Sequence, residues 1–399
     1  MKKTYIVSAK RSAIGGFGGS LKDLKAAQIA SPVIKASLEG VEKSLVDEVV
    51  LGQVLSAGGG MGPGRQASMG AGIPESVPGY TVNILCSSGM KAVMDAHAHI
   101  LAGSANLVVA GGMESMSSAP FLLPGSTRWG KKLGAPRMED AMLLDGLTDV
   151  FHQYHMGITA ENIAQRMDIS REDQDAFALM SQSRSKEAWE SGAFQDEIVP
   201  LQLESRRGSL VFDRDEHPRS DVTKESLAKL RPAFLPEGTV TAGNASGIND
   251  GAAILLVASE AAVEQFELQP LVEIVGCSQA GIAPEIMGLG PVPAIGKLLE
   301  DCHVSLADID LLELNEAFAA QSLGVIRELS QQHSVSDVQL LERCNQKGGA
   351  IALGHPLGAS GARIMVTLVH SMKQQGATYG LASLCAGGGM GTAVLLKNL

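Results

Sequence analysis

The chain has 399 residues, of which 46 are glycine and only 15 are Phe, Tyr or Trp. Apolar residues make up 45% of the chain and charged residues 19%, a composition that excludes an intrinsically disordered protein. The glycines follow no Gly-X-Y period, which excludes a collagen-like fibre. At this length we expect a globular protein of two or three domains, with enough core to fold without disulfide or metal cross-links.

Charge and cysteine usage narrow the class of protein further. The 32 Lys and Arg against 43 Asp and Glu give a net charge of −11, which argues against a nucleic-acid or anionic membrane partner but allows a local basic pocket. The five cysteines are widely spaced and lack a Cys-x-x-Cys pair, so neither a disulfide framework nor a metal site is predicted. Apolar runs are too short for a signal or membrane segment. We expect a soluble cytoplasmic protein.

Strand and helix patterns alternate in the first part of the chain. Residues 46–53 and 106–112 have the composition of short buried strands, and residues 87–101 between them have helical spacing. This alternation predicts an α/β fold with helices layered on a buried sheet.

A similar order recurs near the C-terminus. The strand-like segment 310–316 resembles 46–53, and Ala359-Ser-Gly-Ala-Arg363 resembles Ser87-Ser-Gly-Met-Lys91. A strand ending in Gly-Gly-Met then follows each helix, at 111–113 and 388–390. The repeat predicts two duplicated α/β halves rather than one long sheet. Chance similarity between glycine-rich turns is the alternative explanation.

Residues 119–249, between the halves, are charged and punctuated by Pro and Gly. We expect an inserted loop domain there, because long insertions in α/β proteins usually carry function and often cover a binding site. Within it, Gly125-Ser-Thr-Arg-Trp-Gly-Lys-Lys132 approaches a phosphate-binding loop, but Lys132 stands where Ser or Thr would hold magnesium. No Gly-x-Gly-x-x-Gly follows a strand, so a dinucleotide site is not predicted either.

Cys86 is the first candidate for covalent chemistry. It follows the apolar run 82–85 and precedes a helix that opens Ser87-Ser88-Gly89. Unpaired amides and the positive end of the helix dipole are therefore expected to favour its thiolate, which is a nucleophile. A buried structural cysteine is the alternative.

Three further segments hold groups that suit acyl chemistry. His355 lies between Gly354 and Pro356 in a rigid loop before a helix, and its ordinary pKa suits removal of a thiol proton. Cys385 is closely followed by three glycines, 387–389, whose amides can approach a reacting carbonyl. Asn315 lies at a strand end, where the active sites of α/β folds gather. A structural histidine and a turn with a buried thiol are the alternatives for His355 and Cys385.

Together these segments resemble the thiolase family along nearly the whole chain. Six motifs in family order carry the resemblance: Asn83-Ile-Leu-Cys-Ser-Ser-Gly89, Gly111-Gly-Met-Glu-Ser-Met116, Asn244-Ala-Ser-Gly-Ile-Asn-Asp-Gly251, Asn315-Glu-Ala-Phe318, Gly348-Gly-Ala-Ile-Ala-Leu-Gly-His-Pro-Leu-Gly-Ala-Ser-Gly361 and Cys385-Ala-Gly-Gly-Gly-Met-Gly391. The resemblance implies two layered halves in an α-β-α-β-α arrangement, residues 1–118 plus 250–272 and residues 273–399. It also implies a loop domain at 119–249 for CoA binding and oligomer contacts, and a homotetramer built as a dimer of dimers, with a dimer as the alternative.

The activity that the resemblance implies is condensation of two acetyl-CoA to acetoacetyl-CoA and CoA, and the reverse thiolysis, by a ping-pong route. Cys86, deprotonated by His355, would take the acetyl group, and Cys385 would remove a methyl proton from the second acetyl-CoA. His355 and a water held by Asn315 would stabilise the enolate, and the amides of Cys86 and Gly387 the tetrahedral oxygen. CoA thioesters are then substrates, and no cofactor is expected.

The same resemblance implies a set of residues for CoA and the acyl group: Leu147, His155, Met156, Arg219, Phe234, Ser246, Met287, Ala317 and Phe318. Arg219 would meet the nucleotide phosphates. Tyr154-His-Met-Gly157 and Glu285-Ile-Met-Gly288 resemble the short-chain biosynthetic branch, where methionines close the acyl pocket. We therefore expect acetoacetyl-CoA specificity rather than the broader chain length of degradative 3-ketoacyl-CoA thiolases. The third possibility, a non-catalytic protein that binds acyl-CoA or lipid, would be expected to lack one of the three reactive side chains.

Overall fold

The computed structural model describes residues 2–205 and 208–399. Its N-terminal part alternates strands and helices, in the order β1 (Thr4–Ser12), β2 (Gly15–Gly16), α1 (Ala26–Ser37), β3 (Glu48–Gly52), α2 (Pro63–Gly70), β4 (Gly79–Val82), α3 (Ser88–Ala102) and β5 (Leu107–Ser115). The strands predicted at 46–53 and 106–112 and the helix predicted at 87–101 are confirmed, with small differences at their ends.

The segment 119–249 contains short strands and two longer helices. Its elements are β6 (Phe121–Leu122), β7 (Glu139–Asp140), β8 (Thr148–Asp149), β9 (Tyr154–His155), α4 (Met156–Arg166), α5 (Arg171–Glu190), β10 (Ile198–Val199), β11 (Leu201–Ser205), β12 (Gly208–Phe212) and α6 (Lys224–Ala228). Helix α5 begins where the Ser170 hydroxyl accepts the Asp173 N–H, which satisfies an amide that has no partner within the helix. Strand β10 pairs with β1 and so ties this segment to the main sheet.

The C-terminal part repeats the alternation. Its elements are β13 (Asn249–Ser259), α7 (Glu260–Gln265), β14 (Val272–Gly281), α8 (Pro291–Cys302), β15 (Leu311–Leu314), α9 (Ala319–His333), α10 (Asp337–Arg343), α11 (Ala350–Leu353), α12 (Leu357–Gln375), β16 (Tyr379–Ala386) and β17 (Met390–Asn398).

One pattern of strand pairing occurs twice. In the first half β3 is parallel to β5, and β13 lies antiparallel between β5 and β1. In the second half β15 is parallel to β16, and β17 lies antiparallel between β16 and β14. The strand order and the directions match, so the duplication predicted from the sequence has a direct structural counterpart.

The two halves expected from the sequence are present, and their sets of strands are in addition joined edge to edge. Edge strands β1 and β14 pair through Tyr5 with Glu273 and Ile6 with Val272, and the result is a continuous sheet of 11 strands. This short pairing covers part of each strand edge and so satisfies some of its amide and carbonyl groups.

The two Gly-Gly-Met segments do not occupy equivalent positions in the two halves, contrary to the prediction. Strands β5 and β16 begin at 107 and 379, an offset of 272 residues that aligns Met113 with Cys385. Gly111 to Met113 therefore lie inside β5, whereas Gly388 and Gly389 form the turn after β16. Both turn glycines have left-handed φ angles, of 77° and 85°, which the turn requires and a β-branched residue would resist.

Helices α3 and α12 lie between the two halves of the sheet. The central core contains Val93 from α3 and Leu368 from α12 with residues from both sets of strands. One outer core surrounds α1, and the other is built on α8 and α9. These are the five layers expected, α-β-α-β-α. In the described part of the chain, the helices are too short or too polar to cross a membrane.

Glycine allows the two central helices to cross in close contact. A Cβ at Gly89 would lie 2.9 Å from the Ala362 nitrogen, and a Cβ at Gly361 would lie 2.6 Å from the Met90 nitrogen. These two contacts are related by the same offset of 272 residues that relates β5 to β16. The crossing point therefore lies on the approximate two-fold axis, and the N-termini of both helices open at one place.

Candidate active site

A strained turn presents Cys86 at the start of α3. Strand β4 ends at Val82, and the chain then bends through Leu85, whose φ of 53° is left-handed. This conformation costs a non-glycine residue roughly 1–2 kcal/mol. The Ser88 hydroxyl holds the turn, because it accepts the Ile84 N–H (2.9 Å) and donates to the Leu85 carbonyl (2.6 Å). Cys86 is half-buried there.

His355 is held at the start of α12 by its backbone and its ring. Its N–H donates to Asn249 Oδ1 (2.9 Å), and Gly354 before it has a φ of 105° that lets the chain pass Asn249. Its Nδ1 lies 2.6 Å from Ser360 Oγ, and that hydroxyl donates its one hydrogen to the Pro356 carbonyl (2.9 Å). The ring must therefore donate from Nδ1, which leaves a lone pair on Nε2.

The second cysteine lies at the end of β16. Cys385 is 1% exposed, and the chain turns immediately after it through Gly387 to Gly389. The main-chain amide of Gly387 is directed at the Cys86 thiol. A Cβ at Gly387 would lie 3.0 Å from Leu85 Cδ1, so glycine at this position lets the amide approach the sulfur.

One cavity of about 50 Å³ brings these groups together. It is lined by Cys86, Gly146, Leu147, Met156, Ser246, Met287, Ala317, Phe318, His355, Leu357, Cys385 and Gly387. Ten of these residues are among those that the resemblance implied. Gly146 and Leu357 were not singled out. Leu357 follows the His355-Pro356 pair in the quoted motif, which was a usable signal, whereas nothing in the sequence distinguishes Gly146.

Two further predicted residues extend the cavity as an aromatic row. The His155 ring stacks on Phe234 at 4.6 Å, and Phe234 meets the edge of Phe318 at 6.2 Å. Gly157 lies against this row, because a Cβ there would be 2.2 Å from the Phe234 ring. Phe318 lines the cavity, so the row leads away from Cys86 along an apolar surface.

The remaining two predicted residues do not line the cavity. Arg219 is exposed in a separate hollow beside Trp189 and Arg214, and its N–H donates to Gln182 Oε1. Asn315 is 1% exposed, and neither polar atom of its amide has a hydrogen-bond partner among the residues that the structure describes.

Burial in this arrangement favours the neutral forms of Cys86, Cys385 and His355. Burial raises the pKa of Cys86 to about 11, although the amide of Gly387 acts in the opposite direction. Burial also raises the pKa of Cys385, with the nearby Cys86 adding to the effect. Burial and the Arg363 charge lower the pKa of His355 to about 4, so its Nε2 is an unprotonated base. Burial thus acts against the expected Cys86 thiolate, and it has a larger effect on the pKa of Cys86 than the amides of Cys86 and Gly387.

No cluster of metal-binding side chains is present in residues 2–205 and 208–399. His97 contacts the Thr4 hydroxyl and His99 contacts Glu48, so the two histidines of α3 have structural partners.

Comparison with known proteins agrees with this geometry. The family models for "Thiolase, N-terminal domain" and "Thiolase, C-terminal domain" match residues 4–261 and 268–398. An acetyl-CoA acetyltransferase of Chromobacterium violaceum is 52% identical over 396 residues, which cover 98% of this chain and 99% of the relative. The chain belongs to the thiolase family.

Solved structures share the whole fold. The Bacillus anthracis acetyl-CoA acetyltransferase has a TM-score of 0.95 at 46% identity, covering 100% of this chain and 99% of its own. The human mitochondrial 3-ketoacyl-CoA thiolase in complex with CoA has a TM-score of 0.93 at 41% identity, covering 100% of this chain and 98% of its own. The predicted family and fold are confirmed.

Proposed function

We propose that the chain is an acetyl-CoA C-acetyltransferase that condenses two acetyl-CoA to acetoacetyl-CoA and CoA, and catalyses the reverse thiolysis. The observation that carries this proposal is the single small cavity lined by Cys86, His355 and Cys385. A nucleophile, a base with a free lone pair and a second thiol are the groups that transfer of an acetyl unit between two thioesters needs.

The first half-reaction acetylates Cys86. As the sulfur attacks the acetyl carbonyl, its proton moves to Nε2 of His355, and the C–S bond to CoA breaks as the CoA sulfur takes that proton. The amides of Cys86 and Gly387 suit the tetrahedral oxygen, since both lower the pKa of the Cys86 thiol by donating to its sulfur.

The neutral resting state sets an energetic requirement for this step. The pKa values of about 11 for Cys86 and about 4 for His355 make full charge separation cost on the order of 10 kcal/mol. A turnover near 10 per second allows a barrier of about 16 kcal/mol. Proton transfer can therefore accompany attack on the thioester without a preformed thiolate.

The second half-reaction forms the carbon–carbon bond. His355 Nε2 first takes the thiol proton of Cys385, and the Cys385 thiolate then takes a methyl proton from the second acetyl-CoA. The resulting carbanion attacks the acetyl carbon on Cys86, and the leaving Cys86 sulfur takes the proton back from His355. His355 Nε2, with a water on the Asn315 amide, would stabilise the enolate oxygen. The buried Asn315 amide without a described partner supports this role.

Cavity size supports the short acyl chain. Met156 and Met287 line the same cavity as the reactive groups. Its volume of about 50 Å³ holds only a few water-sized groups, at roughly 10–15 Å³ for each, which favours a two-carbon acyl group over an eight-carbon chain. The likeness to the human 3-ketoacyl-CoA thiolase keeps broader chain length as the second candidate.

The rest of the CoA molecule would lie along the aromatic row of His155, Phe234 and Phe318, with Ser246 beside the pantetheine arm. Arg219 would take the nucleotide phosphates. The division into a loop domain at 119–249 and two halves, and a cytosolic location, are further parts of the proposal.

A homotetramer is proposed on the exposed apolar side chains of the segment 121–138. Trp129 is 86% exposed and Leu133 is 89% exposed, and Phe121, Leu123 and Met138 are exposed beside them. Apolar side chains concentrated in this way mark a protein interface. Light scattering of the chain and of Trp129→Ser with Leu133→Ser tests the assignment, with a change from tetramer to dimer expected.

Intact mass after mixing with acetyl-CoA tests the function directly. The chain is expected to gain one acetyl group, and Cys86→Ala none. Cys385→Ala is expected to acetylate at Cys86 but to form no acetoacetyl-CoA. An unmodified folded chain would overturn the mechanism, and acetylated Cys385→Ala that still condenses would remove Cys385 as the base. Cleavage of 3-ketooctanoyl-CoA as efficient as that of acetoacetyl-CoA would favour the second candidate.

A further inference from the structure

Glu114 belongs to the Gly111–Met116 motif, to which the proposed chemistry assigns no role. It lies in β5 and is fully buried. Its carboxylate accepts three main-chain hydrogen bonds. The Val54 and Gly358 N–H groups donate to Oε2, at 2.9 and 2.8 Å, and the Leu55 N–H donates to Oε1, at 3.1 Å. A buried carboxylate with three amide donors is a fixed link between chain segments.

The three amides belong to two chain segments that lie next to residues lining the active-site cavity. Gly358 lies in the first turn of α12, three residues after His355. Leu55 follows β3 and packs in one cluster with Cys86 and Leu357. Glu114 therefore connects the first turn of α12, which follows His355, to residues 54–55, which pack in the same cluster as Cys86.

The link to α12 has a specific physical basis. Amides in the first turn of a helix have no partner within the helix, and a negative charge there is stabilised by the helix dipole. The Gly358 N–H is such an amide, and Glu114 reaches it from the other half of the molecule. A Cβ at position 358 would lie 2.9 Å from Glu114 Oε2 and 2.6 Å from the Gln53 Cα. The glycine is required by this contact.

The charge of Glu114 also reaches the nucleophile. It contributes to the raised pKa of Cys86. Burial and the nearby Asp250 raise the pKa of Glu114 itself to about 7, while the three amides act against this. Replacement of the carboxylate by an amide therefore removes a negative charge from the surroundings of Cys86 as well as an acceptor from α12.

We propose that Glu114 is a positioning residue that holds the first turn of α12, and with it His355, against the wall formed by residues 53–55. The proposal rests on the proposed function, because it assigns Glu114 to the placement of the base in that reaction. Glu114 acts through His355 and touches no reacting atom.

Glu114→Gln tests the role with almost no change of volume. The amide nitrogen cannot accept, so one of the three N–H groups loses its partner and the first turn of α12 moves. We expect kcat for condensation to fall by about 10- to 100-fold with KM for acetyl-CoA little changed. We also expect iodoacetamide to alkylate Cys86 at lower pH than in the parent chain, since a negative charge is gone.

Two companion variants separate positioning from stability. Glu161→Gln is the matched control, because Glu161 is 6% exposed and likewise accepts main-chain N–H groups, those of Thr239 and Val240. It is expected to lower the melting temperature and leave both kcat per folded site and Cys86 alkylation unchanged. Glu114→Asp keeps the charge on a shorter side chain. It is expected to lower kcat while the alkylation profile stays near that of the parent chain, and it serves if Glu114→Gln fails to fold.

Wild-type kcat in Glu114→Gln, or a loss of kcat equal to that of Glu161→Gln, would overturn the proposal. The alkylation profile does not depend on turnover, so failure of the positioning role can be distinguished from failure of the proposed function. If the parent chain forms no acetyl adduct, the proposed function fails. If the parent acetylates and Glu114→Gln leaves both kcat and alkylation unchanged, only the positioning role fails.

Discussion

The N-termini of α3 and α12 are related by the approximate two-fold axis, yet they carry different chemistry. Each helix begins two residues after a reactive side chain, Cys86 before Ser88 and His355 before Leu357. The glycine contacts at the helix crossing are equivalent in the two halves. The duplicated fold therefore brings the two helix starts together, and the two halves differ in carrying the proposed nucleophile on one side and the proposed base on the other.

The two sides differ in how they hold their reactive group. Ser88 and Ser360 are equivalent by the offset of 272 residues, and each binds the turn before its helix. The Ser88 hydroxyl accepts a main-chain amide, whereas the Ser360 hydroxyl accepts the ring of His355. Cys86 is thus positioned by hydrogen bonds to the main chain of its turn, whereas His355 is positioned by hydrogen bonds of both its main chain and its ring.

The largest expected effect tests the base. His355→Asn removes the proton acceptor and keeps a polar side chain, so we expect condensation to slow by about 10³- to 10⁴-fold. Acetylation of Cys86, followed by mass spectrometry on rapidly quenched samples, is expected to slow as well. Normal acetylation with slow condensation alone would restrict His355 to the second half-reaction.

The helix crossing tests whether the two halves are equivalent in packing. Gly361→Ala and Gly89→Ala each force a methyl group against backbone atoms of the facing helix, and we expect each to lower the free energy of unfolding by about 2–3 kcal/mol. Gly296→Ala in α8 is the control, since a Cβ there meets no atom within 4 Å, and a small stabilisation is expected. Denaturant unfolding measures all three, and a neutral Gly361→Ala would contradict close contact at the axis.

The two serines test the difference in placement. Ser360→Ala removes the acceptor that fixes the ring tautomer of His355, and we expect kcat to fall by about tenfold or more. Ser88→Ala disturbs only the main-chain turn, so its effect on kcat is expected to be smaller. Steady-state kinetics with melting curves compares them, and an equal loss in both would show that ring placement has no separate role.

The ionisation of Cys86 can be tested without turnover. With the pKa of Cys86 raised to about 11, only a minor fraction is thiolate at pH 7, and the thiolate fraction grows as pH rises towards that value. The rate of alkylation by iodoacetamide is expected to rise about tenfold per pH unit from 7 to 10 without a plateau. Peptide mapping identifies the alkylated cysteine. A plateau below pH 8 would show that Cys86 is already largely thiolate near neutral pH, as the sequence suggested.

Local patterns in the sequence correctly predicted structural features that depend only on residues adjacent in the chain. The Cys86 and His355 motifs fixed a helix start after each residue, and the glycines after Cys385 fixed a tight turn. These features follow from backbone preferences over a few residues. The resemblance of six such motifs then gave the family.

Contacts between distant segments were not accessible in the same way. The Gly-Gly-Met repeat predicted the wrong correspondence between the two halves, because residue identity does not reveal whether a segment lies within a strand or in a turn. The pairing of β1 with β14 and the three amides on Glu114 join residues far apart in the chain, and no local pattern encodes them.

The sequence by itself determined the duplication and the family and predicted the reactive groups, since each depends on short contiguous motifs. Only the tertiary structure decided how those groups are charged. The same helix start that suggested a Cys86 thiolate is enclosed by Met156, Phe318 and Leu357, and removal of water from the thiol costs the charged form more than the nearby amides return. Burial is a property of the assembled cavity, and it favours the neutral forms of Cys86, Cys385 and His355.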